Sequence, residues 1–348
     1  MRVVVAMSGG VDSSATAAIL KEAGHEVVGM TLRLWSHEAS ATCGSCCSPD
    51  DVDDARAVAQ QLDVPFYVVK AEELFRERVV GPFVDAYLNG RTPIPCVACN
   101  DVVKFGFLLH RARQLGAKLA TGHYARVVEQ DGRFELLRAL DEAKDQSYFL
   151  FTLGQAELKD VLFPVGGLSK AEVRRVALRH GLRTSAKKES MEICFVPDGD
   201  YASFVEKEAG PQPPGDIVSA SGRVLGRHQG IHHFTVGQRR GLNVASTEAL
   251  YVERVDAGSG RVIVGPSSSI MRGDFGLIDP RWVAGEAPIE RDLDVKIRHR
   301  HAGAVGRLLR DVDGGLKVVF AEPQRAVTPG QAAVLYDGTR VLGGGWIR

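Results

Sequence analysis

The sequence predicts an α/β N-terminal domain built on a parallel sheet, followed by a small mixed domain and a C-terminal β-barrel. Three observations carry this. Apolar strand-like runs alternate with helical patterns along the first part of the chain, helices fade from about Ala209, and a linker reading "GPQPPG" leads into short strands separated by Gly and Pro turns. At 348 residues the chain exceeds what one hydrophobic core usually organises. The expected domains are residues 1–202, 203–272 and 273–348.

In chain order, Val3–Ala6 is uninterruptedly apolar, as a strand covered on both faces must be. A helix follows from about Ser13 to Lys21, closed by Gly24. Strand Val27–Leu32, helix Asp51–Gln61 and strand Pro65–Val69 continue the alternation. A helix from about Asp101 to Gln114 leads into "GAKLATGHY", a strand ending at Thr121 with a polar loop beyond it. In open α/β sheets, ligand sites collect at such carboxyl ends. Ser169 and Glu172 form a capping box for a helix whose apolar stripe is Val173, Val176 and Ala177, stopped by Gly181. Further strands are expected at Leu250–Val255, Arg261–Val264, Leu293–Ile297 and Leu316–Phe320.

A composition of 45% hydrophobic and 25% charged residues is that of an ordinary soluble protein. The longest apolar run near the start, Val3–Met7, is far too short to span a membrane, so a cytoplasmic protein is expected. Lys+Arg and Asp+Glu both number 43, so a polyanionic partner must be gripped by local basic patches. The six cysteines are Cys43, Cys46, Cys47, Cys96, Cys99 and Cys194. In a reducing cytosol they read as reactive thiols or metal ligands rather than as structural disulfides.

The most informative stretch is the turn after the first strand, "SGGVDSS", residues 8–14. It lacks the lysine of the common nucleotide loop and is not the dinucleotide fingerprint. Gly9 and Gly10 allow close backbone approach, Ser8, Ser13 and Ser14 supply hydroxyls, and the following helix aims free N–H groups at the turn. Such a nest favours pyrophosphate. Asp12 would repel bare phosphate, which suggests either a bridging Mg2+ ion or an N-cap. A plain strand–helix turn of small residues is the bland alternative. The complete string resembles the signature of the ATP-pyrophosphatase (PP-loop) superfamily, whose members cleave ATP between its α and β phosphates to adenylate an oxygen. That likeness implies an adenine nucleotide α-hydrolase-like fold, with AMP and pyrophosphate as products.

In "TPIPCVACNDVVKF", residues 92–105, Cys96 and Cys99 stand just ahead of the expected helix, where its positive end favours a thiolate. Read alone, the pair also suits a zinc half-site with Cys43 and Cys46, or inert buried thiols. Cys194, between Ile193 and Phe195, reads alone as a core cysteine. Together with "TGHYAR", "DEAKDQSYFL", "FPVGGLSKAEVR", "KKESMEICFVPDGDYASF", "GRHQGIHHFTVGQRRGL", "VTPGQAAVLYDG" and "GGGWI", these stretches resemble the bacterial MnmA-type tRNA-specific 2-thiouridylases over essentially the whole chain.

The resemblance implies 2-thiolation of the wobble uridine of tRNAs for lysine, glutamate and glutamine. A uridine carbonyl oxygen leaves only when capped, here with AMP, and a persulfide is a polarisable nucleophile at neutral pH. By residue matching, Cys99 is the nucleophile and Cys194 the carrier of persulfide sulfur, the two ending as a disulfide that a reductant reopens. Ala6, Met7, Ser8, Gly9, Gly10, Val11, Asp12, Ser13 and Leu32 match ATP contacts, with Gly122 near the nucleotide. Ile94-Pro95-Cys96 matches the segment meeting the target base, Lys144-Asp145-Gln146 a tRNA-interacting stretch, and His123 and Gln331 residues for tRNA recognition. ATP and Mg2+ are the implied cofactors. The implied partners are tRNA and a persulfide donor, either a relay protein or a cysteine desulfurase, with the protein a monomer in its free state.

Two positions depart from the family. Ile94 replaces a common asparagine, so a hydrogen bond to the uracil edge is missing, and Cys96 stands where some relatives carry an acidic group. Cys96, Cys99 and Cys194 also fit a rival chemistry, a [4Fe-4S] cluster with one open iron. Basic clusters at Lys170–Arg183, at Arg239-Arg240 and at residues 296–307, with Arg298 and His299, suit phosphate tracking. A wobble base flips out cheaply because the anticodon loop is unpaired. The competing classes are a PP-loop ligase for a small molecule and a non-catalytic RNA-binding protein; neither needs a Cys99/Cys194 pair.

Overall fold

A computed structural model describes residues 1–35, 49–188, 193–196 and 199–348. The core of the first part is a five-stranded sheet in the order β3-β2-β1-β4-β7, every pairing parallel. Its strands are β1 Arg2–Ala6, β2 Glu26–Arg33, β3 Phe66–Lys70, β4 Lys118–Ala120 and β7 Val161–Leu162. β1 is central, and Val3, Val4 and Val5 have no solvent exposure. Helices α1 (Val11–Glu22) and α2 (Pro49–Gln61) cover one face, where Val3, Val5, Ala17, Val58 and Leu62 share a core. The other face packs Val4, Met30 and Leu119 on Phe105, Leu108 and Leu109. The chain runs outward from β1 through β2 to β3 and then returns to the other side at β4. β1 and β4 therefore flank the switch point at which α/β sheets leave a crevice.

Two expected boundaries shift. α1 begins at Val11, two residues ahead of Ser13, because Gly10 rather than a serine or Asp12 is its N-cap. The helix expected from Asp101 begins at Pro95, whose fixed φ suits a first helical position, and runs through Pro95–Ala98, a wider π-type stretch Cys99–Leu108, and Leu109–Gln114. Cys96 and Cys99 are thus within the first turns of the helix, not ahead of it. The capping box is present as expected: Ser169 Oγ accepts from the Glu172 N–H at 3.3 Å, the Glu172 carboxylate accepts from the Ser169 N–H at 2.8 Å, and helix Lys170–Arg179 follows.

A hairpin of β5 (Ala125–Gln130) and β6 (Arg133–Arg138) lay unread in the sequence, although "DG" marked it. Asp131 and Gly132 at its tip take φ of 52° and 74°, the double positive φ of a two-residue hairpin turn.

The middle part holds a four-stranded sheet, β10-β11-β8-β9, of β8 (Gly215–Ser219), β9 (Val224–His228), β10 (Tyr251–Asp256) and β11 (Arg261–Gly265). The last part is a closed barrel. Its strands are β12 (Met271–Trp282), β13 (Asp292–Lys296), β14 (Ala304–Arg310), β15 (Leu316–Arg325), β16 (Ala332–Asp337) and β17 (Arg340–Ile347), in the order β12-β15-β14-β13-β16-β17 and back to β12. The β5–β6 hairpin adds to this barrel, pairing Leu137 and Leu136 with Arg340 and Val341 of β17. Residues of the first part thereby extend a sheet of the last, which holds the barrel beside the parallel sheet.

Candidate active site at the switch point of the parallel sheet

A cavity of about 390 Å³ opens at the carboxyl ends of β1, β2 and β4. Of the residues nominated from sequence, Ala6, Met7, Ser8, Val11, Asp12, Ser13, Leu32 and Gly122 line it, as do Pro95, Cys96, Cys99, His123, Lys144, Gln146 and Cys194. Cys99 is buried, Cys194 half-buried and Cys96 exposed. The two thiols nominated for sulfur chemistry, far apart in sequence, therefore face one chamber with the phosphate loop. Gly9, Gly10, Ile94, Asp145, Arg298, His299 and Gln331 are not on its wall.

The loop's small residues are fixed by contacts within the protein. Gly9 takes φ of 72°, and a Cβ there would lie 2.2 Å from the Asp51 carbonyl oxygen, so its missing side chain makes room for α2. Ser13 Oγ accepts from the Ser8 N–H at 3.1 Å and donates to the Gly10 carbonyl at 3.1 Å, and Ser14 Oγ donates to that carbonyl at 2.8 Å. Both hydroxyls brace the turn, and Ser14 is fully buried. A Cβ on Gly122 would lie 2.7 Å from the Ser13 nitrogen, so this glycine admits the start of α1 against the β4 loop.

Asp12 does not present a bare carboxylate. Lys170 Nζ donates to its Oδ1 and Oδ2 at 2.7 and 2.9 Å, and Tyr124 Oη donates to Oδ1 at 2.8 Å. The N-cap reading of Asp12 does not hold, because Gly10 is the cap of α1, and the two Asp12 oxygens join the ion pair with Lys170. Among the described residues, Lys104, Lys144, Lys170 and Lys188 line the cavity against a single lining acid, Asp12, an excess of cations suited to a polyphosphate. Lys170 belongs to the basic cluster Lys170–Arg183 expected to track phosphate, whereas Lys104 and Lys188 were not nominated, because neither carries a local signal that aims it at the cavity.

His123 Nδ1 stands 2.7 Å from Thr121 Oγ1, and its ring meets Phe105 at 5.9 Å and Phe163 at 6.1 Å between centroids. Burial first, and the charge of Lys104 second, hold its pKa well below the usual histidine value, so the imidazole is neutral at physiological pH. Asn100, beside Cys99, donates Nδ2 to the Phe149 carbonyl at 3.1 Å, while its buried Oδ1 accepts no hydrogen bond among the described residues. Cys194 is anchored through its neighbour Phe195, whose ring packs edge-on against Phe75 and Phe83 at 5.5 and 5.2 Å.

Asp145, nominated as a tRNA contact, is buried, and its carboxylate accepts from the N–H groups of Ala139 and Ser147 and from Ser147 Oγ. It shapes the Lys144–Gln146 turn from within. His299, on the β13–β14 connection, approaches the Asp145 carbonyl with Nε2 at 3.1 Å and packs on Phe149 at 4.5 Å. Arg298 Nη1 donates to the Arg325 carbonyl at 3.3 Å on the exposed barrel surface. Gln331 Nε2 donates to the Thr92 carbonyl at 2.9 Å, and the Thr92 N–H donates to the Pro329 carbonyl at 2.9 Å. The barrel thus holds the strand of chain leading into Ile94, which packs on the first core, and Pro95. Cys43, Cys46 and Cys47 lie outside the described residues.

A parallel sheet with a glycine-serine loop at its switch point defines the class of HUP-type domains. Residues 1–198 match the family model described as tRNA methyl transferase HUP domain, residues 202–266 the tRNA methyl transferase PRC-barrel domain, and residues 272–347 the aminomethyltransferase beta-barrel domain. Full-length relatives named tRNA-specific 2-thiouridylase MnmA include that of Geobacter metallireducens, 52% identical over 99% of this chain and 96% of its own. That of Solibacter usitatus is 52% identical over 99% and 98%, and that of Rickettsia felis 48% identical over 99% and 96%. The chain belongs to the MnmA family of tRNA-specific 2-thiouridylases.

Proposed function

We propose that this protein replaces the C2 oxygen of the wobble uridine of tRNA by sulfur, with ATP as the activating co-substrate. The observation that carries the reading is the placement of Cys99 and Cys194 on the wall of the cavity that holds the phosphate loop. Methyl transfer, which two of the matching family models name, has no use for a thiol pair beside a pyrophosphate nest.

The steps balance as follows. The uridine O2 attacks the α-phosphorus of ATP and pyrophosphate departs towards the α1 N-terminus and the cavity lysines. The terminal sulfur of a Cys194 persulfide attacks C2, the C2–O bond breaks and AMP leaves. The Cys99 thiolate then attacks Cys194 Sγ, forming the Cys99–Cys194 disulfide and releasing the thiocarbonyl; two electrons from an external reductant restore both thiols. The adenine has an apolar bed in Ala6, Met30 and Leu32, and Asn100 Oδ1 is placed to accept an N–H from a base beside Cys99.

The test incubates the full chain with unthiolated tRNA, ATP, Mg2+ and a persulfide donor, reading AMP release and the oxygen-to-sulfur mass change in the nucleoside. Cys194→Ser should abolish sulfur incorporation while tRNA still binds. ADP instead of AMP, or thiolation by Cys194→Ser, refutes the reading. Anaerobic purification with an optical spectrum separates the persulfide route from the [4Fe-4S] route: visible cluster absorption that is lost in Cys96→Ala would favour the cluster.

A further inference from the structure

Away from this cavity, two consecutive histidines converge on one carboxylate. Helix Tyr201–Ala209, which follows the Cys194 segment, presents Glu206, and the turn Ile231–His233 of the middle part presents His232 and His233. Glu206 Oε1 lies 3.1 Å from His232 Nε2 and 3.3 Å from His233 Nε2, and the three donor atoms all fall within 4.8 Å of one another. We propose that Glu206, His232 and His233 form a Zn2+ site that fastens this helix to the middle domain.

Zinc bonds of about 2.0–2.1 Å in tetrahedral geometry place neighbouring donors about 3.3 Å apart, close to both separations here. Two imidazoles and a carboxylate form a known three-ligand set that leaves a fourth position to water. The His232 side chain has no exposure, whereas those of Glu206 and His233 are 40% and 38% exposed, so an ion can enter from solvent and keep a water. Burial first, and the neighbouring His233 second, lower the His232 pKa, which keeps its ring in the neutral form a metal requires. His232 Nδ1 makes no hydrogen bond among the described residues, so the polar contact of this ring there is the one from Nε2 to Glu206. The same helix carries Phe204, whose ring meets Phe195 at 5.3 Å next to Cys194. Neither the sulfur chemistry nor the nucleotide enters the proposal.

The experiment uses the full chain, stripped with a chelator and alkylated so that none of the six cysteines binds metal. Titration with ZnCl2 should show one equivalent bound and a rise in Tm of roughly 5 °C at saturating metal. CoCl2 should give the visible bands of a four-coordinate site without thiolate charge transfer. Glu206→Gln and His233→Gln should each lose the bound equivalent and the Tm rise, while Glu208→Gln on the same helix keeps both. Should alkylation itself lower Tm, unmodified wild type and Glu206→Gln should still differ by one equivalent. Failure of the wild-type chain to take up either metal, or equal uptake by the Glu206 and His233 variants, overturns the proposal.

Discussion

Lys187 Nζ donates to the Gly9 carbonyl oxygen at 3.1 Å, tying the segment that leads to Cys194 directly to the phosphate loop. The same ammonium bonds Asp51 at 2.6 Å and also Asp54, so one cation gathers the loop, α2 and the approach to the sulfur-bearing residue. Burial pulls its pKa down, but the bonds to Asp51 and Asp54 outweigh this and raise it, so it stays charged throughout the working range. Lys187→Met should cost roughly 1–3 kcal/mol of stability and weaken ATP binding as well. Chemical denaturation and nucleotide titration on one preparation check this; unchanged ATP affinity would show that the tie does not reach the site.

Gly122→Ala should leave the fold in place and damage the nucleotide site, because the new Cβ would meet the Ser13 nitrogen at 2.7 Å and push the α1 N-terminus out of line. Misaligned donors at a phosphate cost about tenfold or more in affinity. The KM for ATP measured with saturating tRNA should rise accordingly, with the circular dichroism spectrum unchanged.

Removing Lys170 exposes the Asp12 carboxylate to the incoming phosphates. Lys170→Met should therefore raise the KM for ATP more than Asp12→Asn with Lys170→Met combined, since the double variant removes the repulsion together with the cation. A double-mutant cycle on ATP affinity decides; strict additivity would mean that the pair plays no part in phosphate handling.

Gln331→Ala breaks the bond to the Thr92 carbonyl without touching the cavity. It should cost about 1 kcal/mol of stability and raise the KM for tRNA while leaving ATP affinity unchanged. Steady-state kinetics with each substrate varied in turn tells the two apart.

His123 and His232 both have folded-state pKa values below the ordinary value of about 6.5, chiefly through burial. The unfolded chain therefore takes up protons at these sites before the folded one, and stability falls as pH drops below about 6.5. In chelator-containing buffer, Tm should be nearly flat from pH 8 to 7 and fall between about pH 6.5 and 5, above the range where carboxylates titrate. A rise in Tm on acidification through that window would contradict the assignment.

Local pattern determined much of this protein. The all-apolar β1, the small-residue string at residues 8–14 and the capping box at Ser169 act over a few residues, so their consequences are written where they occur. The cysteines at 96, 99 and 194 and the ordered motifs around them were equally legible. Tertiary structure decided the rest, because it depends on partners remote in the chain. Gly9 must be glycine for the sake of Asp51, Asp12 is occupied by Lys170, and Asp145 turns inward to serve Ser147. Barrel closure through β12 and β17, the hairpin that the first part adds to it, and the presence of Cys99 and Cys194 in the lining of one cavity all arise from long-range pairing and packing. No window of sequence contains both sides of such a contact.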